Sequence, residues 1–200
     1  MPREMSTALR KLRVHGLRGF ASLLKSNVWN RRQCSQWCVE FARWRPPPLA
    51  ANGIDVGPGS EEELSSFRRA WSDGPLPEAF SADLTFGLKR CCLGYRGGRV
   101  AHISWFTADR WTFALDHRPT DWEIRDVFTL PRDRGQGIAT YVLTTILATL
   151  QKEDAERVFA HVDVGNLPSE RTMERIGMKR VGCVRRTRLL GFERLRSHLD

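Results

Sequence analysis

Apolar and polar positions follow one another along this chain in a pattern that predicts a mixed α/β fold. Short apolar runs typical of strands cover 54–56, 91–95, 100–107, 122–130, 157–164 and 178–190, and 111–115 adds a further candidate strand. Helical spacing of apolar residues follows Ser60 and recurs over 78–88, 137–152 and 169–176. Strands that alternate with helices predict one sheet with helices packed against it.

Several residues predict where these elements begin and end. Ser60 and Glu63 form a capping-box pattern ahead of the first of these helices. The Gly-Gly centre of 96–99 predicts a tight hairpin between two strands. Ser169 is the predicted N-cap of the last helix, and Gly177 is its predicted left-handed stop.

The first 48 residues differ from the rest in charge and periodicity. The spacing of leucines predicts a basic helix over 7–28, interrupted by glycines, and 37–44 reads as a strand or a short helix. Three consecutive prolines over 46–48 cannot continue either structure. We therefore predict a basic, helical N-terminal extension over 1–48 and one domain over 49–200. The extension could lie on a membrane surface, although its glycines favour packing on the domain or on a partner.

Composition narrows the functional class. The chain has 200 residues, a formal net charge of +9 and 41% hydrophobic residues, and its five cysteines include no C-x-x-C pair. No apolar run approaches the roughly 18 residues of a membrane span, which predicts a cytoplasmic protein not associated with membranes. The charge favours an anionic partner: nucleic acid, a membrane, an acidic carrier protein or a polyphosphate cofactor. Nucleic acid is not expected, because the basic clusters lack a recognition motif. Metal-ligand spacing is absent, so no metal is predicted.

A strand, a short loop and a helix follow one another around 122–152, with two glycines where the loop becomes the helix. A helix N-terminus offers unpaired backbone N–H groups and a partial positive charge, which suit a pyrophosphate. Gly135 and Gly137 would let a bulky phosphate approach those amides, and Arg134 would add charge. The amides belong to Ile138, Ala139 and Thr140.

The segment 130–139, Leu-Pro-Arg-Asp-Arg-Gly-Gln-Gly-Ile-Ala, resembles motif A of the GNAT (GCN5-related N-acetyltransferase) superfamily. Asn166-Leu167-Pro168-Ser169, with a helix that ends at Ile176-Gly177-Met178, resembles its motif B. The resemblance covers about 54–190. It implies a mixed, mostly antiparallel sheet flanked by helices, with a V-shaped splay between the fourth and fifth strands of the domain.

The resemblance also implies an activity, the transfer of an acyl group from acetyl-CoA or another acyl-CoA to a primary amine, without a metal. By that resemblance the donor is held by backbone amides at the end of the fourth strand, by the glycine loop and by motif B. Asn166 could instead merely turn the chain. The predicted binding residues are Phe128, Thr129, Arg134, Gly135, Gln136, Gly137, Ile138, Ala139, Thr140, Asn166 and Ser169.

Direct acyl transfer needs a base that removes a proton from the attacking amine. By resemblance Glu123 occupies the general-base position, and Asp126 is a second candidate, with Arg125 between them. The alternative is that this charged trio is simply exposed at a strand end. His102 and His161 lie within apolar strands and are further candidate bases, although strand histidines are more often structural.

One departure from the family pattern concerns the acid that protonates the thiolate. Many GNAT enzymes carry a tyrosine seven positions after the motif B asparagine, where this chain has Met173. Tyr141 is predicted to be a packing residue. We predict an N-acetyltransferase acting on a small amine such as an amino sugar or an amino acid, as a monomer or homodimer. The alternatives are a donor on an acyl carrier protein, docked by the basic extension, and a non-catalytic acetyl-CoA-binding module.

Overall fold

The computed structural model describes residues 29–49, 53–109, 117–189 and 192–199. The predicted helix over 7–28 and the candidate strand over 111–115 lie outside these residues. The described strands form one eight-stranded sheet in the order β2-β3-β4-β5-β6-β1-β7-β8. Their bounds are β1 Trp29–Glu40, β2 Ile54–Pro58, β3 Arg90–Arg96, β4 Arg99–Thr107, β5 Asp121–Thr129, β6 Arg157–Asp163, β7 Lys179–Leu189 and β8 Phe192–Leu199.

Every neighbouring pair of described strands is antiparallel except β5 and β6, which are parallel. The connection between these two strands carries a long helix, as a parallel crossover requires. The predicted mixed, mostly antiparallel sheet with flanking helices is therefore confirmed. The predicted hairpin is also confirmed, because Gly97 and Gly98, between β3 and β4, have φ values of 54° and 73°.

In the described part of the chain four helices flank the sheet: α1 Glu61–Ala70, α2 Ala82–Phe86, α3 Ile138–Lys152 and α4 Leu167–Arg175. The predicted capping box of α1 is present, with Ser60 and Glu63 bonded reciprocally. The prediction of a single helix over 78–88 was wrong, because a 3-10 turn at Glu78–Ser81 leads into the shorter helix α2. Gly87, with φ 69°, caps the end of α2. No helix among the described residues is long and apolar enough to cross a membrane.

The two faces of the sheet carry separate apolar cores. On one face, α3 buries Val142, Leu143, Ile146, Leu147 and Leu150, and all five are fully inaccessible. On the other face, residues of α1 and α2 and the turn before α2 pack on β3 and β4. Because α3 is buried along its length, its N-terminus is fixed relative to β5.

Strand β1 lies inside the sheet, paired with β6 on one side and β7 on the other. Its side chains Trp37 and Val39 belong to the core beneath α3, and Phe41 and Trp44 follow them into the same core. The Trp44 indole N–H donates to the carbonyl of Ile176 at 2.8 Å. The division of the chain at 48/49 stays a prediction, but residues 29–44 share the sheet and the core of the residues that follow.

Candidate functional site

Strands β5 and β6 separate after a short paired stretch. The last paired position is Ile124 with Ala160, so the second half of β5 diverges from β6. The divergence coincides with a bulge, because the β4–β5 register shifts between Ile103 and Trp105 and Asp126 adopts a left-handed φ of 50°. A bulge bends its strand and re-aims the groups beyond it. The V-shaped opening expected between the fourth and fifth strands of the domain is therefore present between β5 and β6.

The register of β5 decides which of its amides face this opening. The Leu130 N–H donates to the Ala101 carbonyl of β4 at 2.9 Å, and Phe128 pairs with Ile103. Because amide directions alternate along a strand, the N–H groups of Thr129 and Val127 point toward the opening, whereas that of Phe128 points toward β4. The predicted role of Phe128 as an amide donor therefore does not fit the register. No side-chain signal could have identified Val127, which would act through its main chain.

The glycine loop connects β5 to α3 in a left-handed conformation. Gly135 and Gly137 have φ values of 75° and 77°, a region that L side chains rarely adopt. A Cβ at Gly135 would meet no atom within 4 Å, so space is open beside the loop. The first amide with a partner within the helix is that of Tyr141, which donates to the Gly137 carbonyl at 3.0 Å. The three amides before it, those of 138–140, have no partner within the helix and point out of its N-terminus.

Charged side chains brace the loop. Asp133, which is 1% exposed, accepts from Arg99 at 3.2 Å. Arg134 is exposed, and its Nε donates to the Thr129 carbonyl at 3.1 Å while its guanidinium lies 5.4 Å from the centre of the Phe128 ring. The loop therefore combines a fixed backbone with an arginine at its surface.

A cleft of about 300 Å³ opens beside the start of α3 and is lined by Ile54, Arg96, Gln136 and Ile138. The Oε1 atom of Gln136 is buried and has no hydrogen-bond partner among the described residues. A guanidinium, an amide and a helix N-terminus around one cleft give it the chemistry of a phosphate-binding site.

The predicted charged trio of β5 is divided between two environments. Glu123 is fully buried, and its Oε1 lies 2.9 Å from Nδ1 of His161, whose side chain is 4% exposed. Asp126 is half-buried and accepts from Arg125 Nε at 2.8 Å. The alternative of simple exposure at the strand end was therefore wrong. Glu123 and the candidate base His161 form one buried pair.

His102 is fully buried on β4, and both of its ring nitrogens are engaged. Nδ1 lies 2.7 Å from Thr129 Oγ1, and Nε2 lies 2.6 Å from Ser104 Oγ. Burial lowers the pKa of His102 from its ordinary value of 6.5 to about 3. An imidazole this weakly basic, with both nitrogens hydrogen-bonded, is a structural group, and the structure disfavours it as the base.

The depressed pKa of His102 predicts a pH-dependent stability. Below pH 6.5 the unfolded chain binds a proton at this position that the folded chain does not bind until about pH 3, so the free energy of unfolding falls as the pH falls through this window. Between pH 7 and pH 5 the loss is about 2 kcal/mol. We expect His102→Gln to remove this contribution, measured by urea unfolding at the two pH values. Equal pH dependence in variant and wild type would contradict the assignment.

Motif B positions Asn166 at the start of α4. Its side chain accepts from the Ser169 amide at 3.4 Å and makes Asn166 the N-cap, so the predicted Ser169 cap was wrong. An asparagine side chain can cap a helix as well as serine can. The predicted stop is confirmed, because Gly177 has φ 83°. Met173 is 3% exposed within the core beneath α3, and Tyr141 packs against the same core, as predicted.

Among the described residues, no group of three or more histidine, cysteine or acidic side chains is arranged to hold a metal ion. The site therefore consists of the β5–β6 opening, the glycine loop, the start of α3, Asn166 and the buried pair of Glu123 and His161. The predicted loop residues follow the end of β5, Asp126 lies at its bulge, and Glu123 lies near its beginning.

Comparison with known families gives one match over residues 59–178, more than half of the chain, to the family described as "Acetyltransferase (GNAT) family". No curated protein matches the chain. Several solved structures share its fold at low sequence identity. A GCN5-related N-acetyltransferase from Sphaerobacter thermophilus has a TM-score of 0.57 and 13% identity, covering 92% of this chain and 58% of that one.

A GNAT-family protein from Novosphingobium aromaticivorans has a TM-score of 0.56 and 18% identity, covering 79% of this chain and 64% of that one. A glucosamine N-acetyltransferase region of a fungal multi-domain β-N-acetylglucosaminidase has a TM-score of 0.57 and 13% identity, covering 84% of this chain and 22% of that one. The chain spans less than two thirds of the length of each of these proteins. At these identities the likeness concerns the fold.

Proposed function

The chain belongs to the acetyltransferase (GNAT) family, and we propose that it transfers an acetyl group from acetyl-CoA directly to a primary amine of a small molecule. One observation carries the proposal. The opening between β5 and β6 lies directly before a left-handed glycine loop that leads into a buried helix. A thioester in the opening and a pyrophosphate at the helix N-terminus are joined in coenzyme A by an extended arm, which fits this arrangement.

We assign binding groups to three parts of the donor: the pyrophosphate, the pantetheine arm and the thioester. The amides of 138–140 would bind the pyrophosphate, with Arg134 as a nearby cation. The pantetheine arm would follow the open edge of β5, bonded to the amides of Val127 and Thr129, with Asn166 on the opposite side. One of these amides would donate to the thioester carbonyl as it gains negative charge. Gln136 would contact the donor at the cleft beside the loop. Ser169 would contribute only through its position at the start of α4.

The reaction needs no covalent enzyme intermediate. The amine nitrogen attacks the thioester carbonyl carbon, and coenzyme A leaves as a thiolate. Glu123 belongs to the buried group that receives the amine proton. Asp126 is a second carboxylate at the bulge, but its ion pair with Arg125 occupies it and makes it the weaker candidate.

The acceptor class is part of the proposal. The fungal neighbour is named as a glucosamine N-acetyltransferase region, which makes amino sugars the first class to test, with amino acids next. A thioester on an acyl carrier protein remains an alternative donor. A non-catalytic acetyl-CoA-binding module is a further candidate, and the observation that favours it is the burial of Met173 where a tyrosine acid would otherwise stand.

Two measurements test the proposal. Calorimetry with acetyl-CoA tests the donor site, and mass spectrometry of acetyl-CoA incubated with amino sugars, amino acids, polyamines and peptides tests transfer. We expect binding and at least one acetylated amine. Binding without any product would favour the non-catalytic module, and turnover of a carrier-protein thioester in preference to acetyl-CoA would favour the other donor. Absence of binding would contradict the proposal.

A further inference from the structure

The buried pair of Glu123 and His161 lies at the point where the two strands part. Ile124 and Ala160 are the last paired positions, so Glu123 stands just before the opening on β5 and His161 just after it on β6. The Glu123 carboxylate oxygen and the His161 Nδ1 are 2.9 Å apart and form a hydrogen bond. This bond joins two strands through residues that are 38 positions apart in the chain.

Both side chains point to the face of the sheet opposite α3. Ile124 on β5 and Ala160 and Val162 on β6 belong to the core beneath α3. Because side chains alternate along a strand, the neighbouring Glu123 and His161 face the other side. Because the His161 side chain is only 4% exposed, an amine would meet its imidazole inside the opening and not at the surface of the sheet.

We propose that His161 is the catalytic residue that carries the proton from the amine to the coenzyme A thiolate, and that Glu123 is the positioning residue that holds it. This inference rests on the proposed function. Glu123 accepts the Nδ1–H and thereby fixes the tautomer, so proton exchange takes place at Nε2. The carboxylate also stabilises the imidazolium that forms, as the acidic member of a catalytic triad does.

The proton balance of the step is complete. The nitrogen lone pair forms the bond to the carbonyl carbon, and the carbon–sulfur bond breaks with its electron pair on sulfur. One proton leaves nitrogen for His161 Nε2 and then passes to the sulfur. The products are an amide and a thiol, and the imidazole is neutral again.

A single imidazole that carries out both proton transfers explains how the reaction can proceed with Met173 at the position where many GNAT enzymes have a tyrosine acid. Met173 has no exchangeable proton and lies in the core beneath α3, so α4 supplies no acid from that position. The Oε1 atom of Glu123 is already engaged by the imidazole Nδ1 at 2.9 Å, which makes this carboxylate a holder of the ring. The imidazole is the member of the pair that can change protonation state twice in one turnover.

The charged and titratable groups around the pair are themselves paired or neutral. On the same face, Asp121 binds Arg157 at 2.6 Å, and Arg125 binds Asp126 at 2.8 Å. On β1, Gln36 stands opposite His161, and burial raises the pKa of the nearby Cys38 thiol to about 12, which keeps it neutral. The other titratable groups near the pair are Cys34 and Asp163, whose side chains are hydrogen-bonded at 3.2 Å, and His117, whose ring packs against Phe159. The Glu123 carboxylate is the charge in direct contact with the imidazole.

The test compares His161→Gln, Glu123→Gln and the double variant in the full chain, using an amine that the wild type acetylates. We expect His161→Gln to lower kcat by about 10²- to 10³-fold and to abolish the acid limb of the pH profile, with acetyl-CoA affinity unchanged. Glu123→Gln keeps the hydrogen-bond acceptor but loses the charge. It should therefore lower kcat by about tenfold and retain the acid limb.

The matched control is Glu153→Gln, which removes a carboxylate from an exposed ion pair with Arg90 at the far end of α3 and should leave kcat unchanged. If His161→Gln does not fold, the cause would be that the buried Glu123 carboxylate has lost its partner. The double variant restores a neutral hydrogen-bonded pair, and its kcat must then fall by the same factor. The inference would be overturned if kcat fell further in Glu123→Gln than in His161→Gln and the pH profile of His161→Gln kept its acid limb. Acetyl-CoA binding and wild-type turnover test the proposed function separately.

Discussion

Gly137→Glu is expected to abolish acetyl-CoA binding, with a loss of affinity of ~100-fold or more. Two effects add. Gly137 has φ 77°, which a glutamate adopts only with strain, and it caps α3 immediately before the amides of 138–140. A carboxylate there would occupy those amides in place of the pyrophosphate and repel it.

Two controls separate these effects. Gly137→Asn tolerates a left-handed conformation and adds no charge, so it should lose far less affinity than the glutamate variant. Gly74→Glu introduces the same side chain at another exposed left-handed glycine, φ 92°, on the α1–α2 connection and should bind normally. Calorimetry gives the affinities, and thermal unfolding checks that each variant is folded. Retained affinity in Gly137→Glu would remove the glycine loop from the donor site.

Deletion of residues 1–44 is expected to prevent folding. The deletion removes β1 from between β6 and β7 and takes four side chains out of the core beneath α3: Trp37, Val39, Phe41 and Trp44. Truncating one buried aromatic side chain costs about 3–5 kcal/mol, and a domain is stable by only about 5–15 kcal/mol. The exposed edges of β6 and β7 would in addition invite aggregation.

The matched control is deletion of residues 1–28, which leaves every described strand in place. We expect this shorter deletion to retain a cooperative urea transition and the longer one to lack it, with circular dichroism as a second readout. The sequence alone predicted an extension over 1–48 outside the domain, whereas the position of β1 predicts that residues 29–44 are needed for folding. A folded, acetyl-CoA-binding protein lacking residues 1–44 would contradict the sheet order.

Features set by neighbouring residues were predictable from the sequence. The Ser60–Glu63 capping box, the Gly97-Gly98 hairpin and the stop at Gly177 each depend on the backbone preferences of a few consecutive residues. The same holds for the glycine loop before α3. The motifs around it were also sufficient to predict the fold class, which the structure bears out.

Local signals were less reliable where two neighbours compete for one role. Ser169 and Asn166 can both cap a helix, and only the structure places Asn166 at the N-cap. The predicted helix over 78–88 divides at Ser81, which has the non-helical dihedrals φ −130° and ψ 15°, and Gly87 then ends α2 in a left-handed conformation. Propensity leaves such choices open, because the competing conformations differ by a fraction of a kcal/mol per residue.

Only the tertiary structure decided which distant segments meet. Strand β1 precedes β6 by more than a hundred residues, and its place between β6 and β7 depends on the packing of the whole core. The bulge at Asp126 sets which amides face the opening, and the parallel register of β5 and β6 brings Glu123 to His161. Sequence periodicity records which face of an element is apolar, whereas pairing between strands is chosen by the free energy of the assembled sheet.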